Sequence, residues 1–339
     1  MSPLYINSIK IAESAIMAML DSLVLHLNII KAGAVDFMAE IPAYLDNIST
    51  HTTSNNIPYI VGWLRGYDGS GSSLKVVVKP DGVKITEGSI CKWYLGDNAK
   101  TMSRKDIGAA VGALSEVLHV DMSQANVKRL DVAENIIVRF PAEVYWNHLG
   151  TLKNAKRLEQ QDGLYYSNAG AGWQMCFYDK VKEIEEHRQQ CPEIFDGGKV
   201  LRYELRFLNK IPAQFKRAEV TAATLHNESF YMEVKRRWRD KYLAIEKIKE
   251  IQINFPAVQK ISDFQTMGVL SLIERAGGFM AMRKQIKEAQ QMGTLNNDQA
   301  FKLRKVVEGA SKIKAGFTTK SDVITELDGK IREAVRYFR

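Results

Sequence analysis

The chain is poor in the residues that usually betray a metal or redox site. It has three cysteines in 339 residues, Cys91, Cys176 and Cys191, and no CxxC pair. An odd count at those spacings excludes a disulfide framework and a zinc knuckle, and makes a reducing cytoplasm the default compartment. The six histidines are scattered. With neither His-x-His nor HExxH, the common imidazole metal sites have no basis in the sequence. Long apolar runs are missing as well. The opening MSPLYINSIKIAESAIMAML is broken by Lys10 and Glu13, with Asp21 following, so it is too short to span a bilayer and lacks a signal peptide's basic start. Neither a repeat nor a low-complexity tract is visible.

What is present is a basic globular composition. Hydrophobic residues make up 45% and charged residues 25%, enough for a real core in one large or two moderate domains. The formal net charge is +8 and the isoelectric point about 9.2. Such an excess attracts polyanions: nucleic acid, acidic lipid or an acidic partner.

Local patterns predict an α+β arrangement. Residues 21–29 (DSLVLHLNI) alternate from Ser22 as a half-buried strand does. Residues 73–88 hold two β runs about a Pro-Asp-Gly turn, and 103–118 have helical period behind a capping serine. Strands are expected at 126–138 and 199–209, a short helix at 141–150, and a hairpin over 163–180 that runs into the helix KVKEIEEH. Beyond about residue 212, charged helical runs take over.

Splitting three of the strands by alternation places chemistry on one face of each. Arg129 and Asp131 share a face of VKRLDVAE. Arg202, Glu204 and Arg206 share a face of LRYELRF. Gln174, Cys176, Tyr178 and Lys180 share a face of WQMCFYDK. One reading is a solvated outer face, as antiparallel sheets commonly have. The other is a convergent site for phosphoryl transfer. There Asp131 and Glu204 supply hard oxygen ligands to Mg²⁺ or Mn²⁺. Arg129, Arg202 and Arg206 hold phosphate oxygens. Tyr178 attacks, with Lys180 lowering the cost of its ionisation.

These segments together resemble the filamentous-phage gene II/X-type replication initiators, which nick and rejoin DNA to start rolling-circle replication. The resemblance runs over roughly residues 19–210. It is carried by MLDSLVLHL from Met19, by KWYLGDNAKTMSRKDI with its Gly96 and Asn98, by VKRLDVAE, by FYDKVKE and by LRYELRF. It implies an antiparallel-sheet nicking domain, HUH-like or trans-initiator-like but lacking the His-x-His motif. It also implies a 5′-phosphotyrosyl intermediate on Tyr178 that leaves a free 3′-OH. Tyr165 and Tyr166 are rival nucleophiles.

The expected organisation is an N-terminal extension over 1–18, a nicking-joining domain over 19–211 and a helical DNA-binding or assembly region over 212–339. In the last, KRRWRDK offers Lys235, Arg236, Arg237, Arg239 and Lys241 to DNA phosphates, or else forms a solvated helical face. Gly277-Gly278 separates two further helical runs, as a helical hairpin or a helix-turn-helix. Expected partners are origin DNA, duplex and single-stranded, with host helicase and polymerase, in the cytoplasm of a bacterial host. A non-catalytic origin-binding or copy-control protein and a conjugative relaxase are the alternatives.

Overall fold

The computed structural model describes residues 20–33, 35–69, 71–99, 101–248, 250–251, 260–313, 318–319 and 321–336. The expected extension over 1–18 lies outside the described residues. Ten strands form one sheet: β1 (Leu20–Asn28), β2 (Asp46–Thr52), β3 (Pro58–Arg65), β4 (Ser73–Lys79), β5 (Gly82–Glu87), β6 (Asn126–Val138), β7 (Lys156–Gln160), β8 (Gly163–Asn168), β9 (Trp173–Asp179) and β10 (Lys199–Phe207). Every neighbouring pair is antiparallel. The helices of five or more residues are α1 (Ile90–Leu95), α2 (Arg104–Leu118), α3 (Ala142–Trp146), α4 (Lys180–Glu186), α5 (Glu228–Leu243), α6 (Ile261–Arg275), α7 (Phe279–Gln291), α8 (Asn297–Ile313) and α9 (Asp322–Arg336). The protein is α+β.

The strand order is β2-β3-β4-β5-β1-β6-β10-β9-β8-β7. Each half is one strand followed by a four-strand meander that folds back beside it, and the halves meet at β1 and β6. The sequence shows no repeat, yet the topology repeats. Residue identity need not recur for this, because alternation and turn chemistry suffice to set a meander.

The alternation sorts the faces. Leu23, Leu25 and Leu27 of β1, Leu130 and Val132 of β6, and Tyr203, Leu205 and Phe207 of β10 are buried in the main core with α2, α5 and α9. The cap expected at Ser103 is formed, as a capping box with Asp106.

The boundary expected at 211/212 does not coincide with a division between cores. Phe230, Trp238 and Tyr242 of α5 and Ile324, Leu327 and Ile331 of α9 belong to the core of the sheet. α6, α7 and α8 have a core of their own, around Leu270, Ile273 and Ala300. Gly277 and Gly278 turn the chain between α6 and α7 at positive φ, in a bundle of three helices. The reason is the apolar stripe at 230, 234, 238 and 242, a four-residue spacing that commits α5 to the sheet despite its charge. Among the described residues no helix is long and apolar enough to cross a membrane.

Candidate active site

The polar face of the sheet forms a cleft of about 430 Å³ where β1, β6, β10 and β9 lie side by side. Register builds it. Arg202 sits opposite Tyr178 on one side and Asn135 on the other, and Arg206 sits opposite Gln174 and Asp131. Glu204 lies between them along β10, on the same face.

A bulge completes the wall. Leu20 opposes Val132 and Ser22 opposes Asp131, so Asp21 is the extra residue. Both Asp21 and Ser22 therefore line the cleft.

Glu204 is the hub. Its Oε1 accepts from the Tyr178 hydroxyl at 2.8 Å and from Arg202 Nε at 2.7 Å, and its Oε2 accepts from Arg206 at 2.8 Å. Arg202 is 1% exposed. It is held further by Asp21 at 3.3 Å and by Asn135 Oδ1 at 3.0 Å. Asn135 in turn donates to the Asn98 carbonyl at 3.0 Å. Gly96 is at positive φ, a backbone conformation that side-chain-bearing residues rarely adopt, which explains the glycine two residues before Asn98. Asp131 takes two bonds from Arg129, at 2.8 and 2.6 Å.

The electrostatics follow from burial opposed by pairing. Burial works to raise the Glu204 carboxyl, but Arg202 and Arg206 overcome it and hold the group at about 2. Burial pushes Asp131 up to about 6 in spite of Arg129. The Tyr178 phenol is held well above its ordinary value, first by burial, with Arg202 opposing and Glu204 adding to the rise.

Tyr178, Glu204, Asp131, Arg129 and Arg206 line one cleft, and Arg202 braces it from beneath. Lys180 does not join them as alternation suggested. The strand ends at Asp179, which caps α4 through two backbone N–H groups, so Lys180 opens a helix. It is fully buried and bonded to Glu183 at 2.6 Å. Burial lowers its pKa, and the Arg202 charge lowers it further. The cation held against the phenol's partner is Arg202. Tyr166 faces the apolar side and donates to the Leu149 and Gly150 carbonyls. Tyr165 is on the cleft face, opposite Cys176, with its hydroxyl bonded to Asp162.

Asp21, Asn135 and Glu183 were not read from the sequence as site residues. The only hint for Asp21 is an acid directly before an alternating run, and a bulge leaves no clear mark in a single sequence.

The donor set, as arranged, does not fit the expected Mg²⁺ or Mn²⁺. Both oxygens of Glu204 and both of Asp131 are occupied by guanidinium groups, and three arginines surround the position an ion would take. Among the described residues no three His, Cys, Asp or Glu side chains are grouped as ligands.

The basic segment of α5 is largely structural. Lys235 and Trp238 are fully buried. Trp238 packs on Tyr203 at 4.6 Å between ring centroids, Arg237 bonds Glu233, Arg239 bonds Asp240, and Lys241 lies 3.9 Å from the Trp173 ring. Of the five proposed phosphate contacts only Arg236 is exposed.

No curated protein matches the chain. A family model for the N-terminal part of a replication-associated protein, the phage gene II protein, matches residues 19–241, well over half of the sequence and the whole ten-stranded sheet. The chain belongs to that family, that of the phage gene II-type rolling-circle replication proteins.

Proposed function

We propose that this protein cuts and rejoins one DNA strand at a replication origin, with Tyr178 as the attacking group. The observation that carries the reading is the 2.8 Å bond from the Tyr178 hydroxyl to Glu204, in a cleft that the Arg129 and Arg206 guanidiniums also line. A second cleft of about 460 Å³ shares Ser72, Lys92 and Asn98 with the first and extends it past Gln189, giving an elongated groove suited to a strand.

The proton and charge movements use the chain's own groups. Arg129 and Arg206 are partly exposed, at 39% and 26% of their side chains, so an entering phosphate can draw both from their carboxylates. Glu204 then loses the Arg206 bond that keeps it acidic and becomes able to take the Tyr178 proton. The phenolate oxygen bonds to phosphorus and the P–O3′ bond breaks. The 3′ oxygen leaves with the electron pair and takes a proton from solvent. The product is a 5′-phosphotyrosyl link, whose attack by a 3′-OH reverses the sequence and rejoins the strand.

The accompanying fold reading is a nicking domain of the HUH-like or trans-initiator-like kind without the histidine pair. Origin DNA, host helicase and polymerase, and a bacterial cytoplasm belong to the same proposal. Asp131 and Glu204 would hold Mg²⁺ or Mn²⁺ only after both arginines had turned away.

Wild-type protein incubated with an origin strand labelled at its 3′ end should give a labelled covalent adduct on a denaturing gel. Tyr178→Phe should bind that DNA equally and give none. An adduct that survives Tyr178→Phe and disappears with Tyr165→Phe would transfer the role to the other tyrosine on this face. No adduct from the wild type would leave a non-catalytic origin-binding protein.

A further inference from the structure

The cleft occupies only half of the polar face. The other half is an open antiparallel surface bearing lysines and aromatic rings. Its register forms one continuous row: Val61 opposes Val77, Val77 opposes Lys84, Lys84 opposes His26 and His26 opposes Asn126. In the next row Trp63 opposes Lys75. Tyr59 and Lys79 follow on the same face by alternation, with Lys79 Nζ 5.8 Å from the Tyr59 ring centroid. A second bulge, between Val24–Arg129 and Leu25–Val127, turns Lys128 out beside Arg129. The opposite sides of these strands, Leu25, Leu27, Val76, Val78, Val83 and Ile85, are buried in the core. Tyr59, Trp63, Lys79 and Lys84 are partly exposed and Lys128 is exposed.

The charge here is not balanced. Lys75 is bonded to Glu87 and Arg65 to Asp46, which uses two acids of this face. Lys79, Lys84 and Lys128 make no ion pair among the described residues. Their field is felt at His26, held below its ordinary pKa first by burial and then by Lys84 and Lys128. His26 lies four residues along β1 from the cleft residue Ser22, about 13 Å at the rise of a strand.

We infer that this open face, with Tyr59, Trp63, Lys79, Lys84 and Lys128, is a platform for single-stranded DNA that leads into the cleft. The inference rests on the strand-cleaving reading for its choice of DNA. Unpaired bases expose ring faces that stack on aromatics, while lysines take the phosphates between them. A duplex keeps its base faces covered, so it could use the lysines but not the rings.

Binding of a labelled oligo(dT) to the full chain by fluorescence anisotropy tests this. Changing Lys79, Lys84 and Lys128 together to alanine should weaken binding at least about tenfold. It should also make the slope of log affinity against log salt shallower by about 2, since each single-strand phosphate contact contributes about 0.7. Trp63→Leu should cost at least about fivefold on oligo(dT) and nothing on a duplex of the same length. Thermal melting at the wild-type temperature shows that each variant is folded. Wild-type affinity and slope in the triple variant would overturn the platform. Equal loss on duplex from Trp63→Leu would overturn its assignment to single strands. If the wild type forms no adduct while the triple variant still loses affinity, the platform stands and strand cleavage falls.

Discussion

Both oxygens of Glu204 are engaged before any substrate arrives, and the same holds for Asp131, so the resting cleft is a set of carboxylates stored against arginines. The two acids are held differently. Two arginines keep Glu204 acidic, whereas Asp131, 3% exposed with one arginine, is pushed up to about 6 by burial. A folded-state pKa raised above the unfolded value gives stability that is full below the unfolded pKa and is lost as pH rises through about 6. Asp131→Asn removes that titration. The variant should be more stable than wild type at pH 8, by up to about 3 kcal/mol, and the advantage should be gone by about pH 4. Thermal melts across that range check it, and an advantage that grows on acidification would contradict the origin given for it. Much of this cleft is legible at the level of single residues, because alternation alone puts Arg202, Glu204 and Arg206 on one face and Tyr178 on the facing side of β9. Asp21 and Lys180 are not. One depends on a bulge, the other on where a strand becomes a helix, and neither changes the residue pattern that alternation reads.

Among the elements, α5 shows how a charge run can mislead. Its sequence has five cations within seven residues, yet Phe230, Val234, Trp238 and Tyr242 recur every four and define a buried stripe. Trp238 is fully buried and packs at a tilt against Tyr203 beneath the cleft. Trp238→Ala should cost about 3–5 kcal/mol in denaturant unfolding, while Arg236→Ala should stay within about 0.5 kcal/mol. A larger loss from Arg236 than from Trp238 would mean that the charged side of α5 matters more than its stripe. The strands that the sequence does not announce are mostly those at the edges. In β2 every residue after Asp46 is exposed, and in β7 all but one are. An edge strand with neither face buried has no alternation to display, because its residues are selected against unwanted pairing and not for a core.

At the scale of the whole molecule, the helical bundle α6–α8 reads as an insertion between α5 and α9. The chain leaves and returns at one place: Glu250 pairs with Thr319 and Ile251 with Thr318 in a two-stranded ribbon. The bundle has a separate core, and its described ties to the sheet body gather at Glu246, which accepts from the Phe279 N–H at 2.7 Å and from Thr151 at 2.9 Å. By contrast α9, although at the far end of the sequence, buries Val323, Ile324, Leu327, Ile331 and Val335 against the sheet core. Its Asp328 also accepts from Tyr242 at 2.8 Å. At about 1.5–3 kcal/mol for each large side chain, that helix contributes at least about 7 kcal/mol, comparable with the roughly 5–15 kcal/mol that holds a typical domain together. Two deletions should therefore behave in opposite ways. Replacing 252–317 by a short glycine-containing turn should leave a soluble protein with cooperative unfolding and unchanged Tyr178 chemistry, since the ribbon already holds the two ends together. Removing 321–339, a much shorter piece, should leave a chain that does not fold. Circular dichroism, melting and the adduct gel distinguish the outcomes. A well-folded product from the second deletion and none from the first would show that the bundle, and not α9, completes the core.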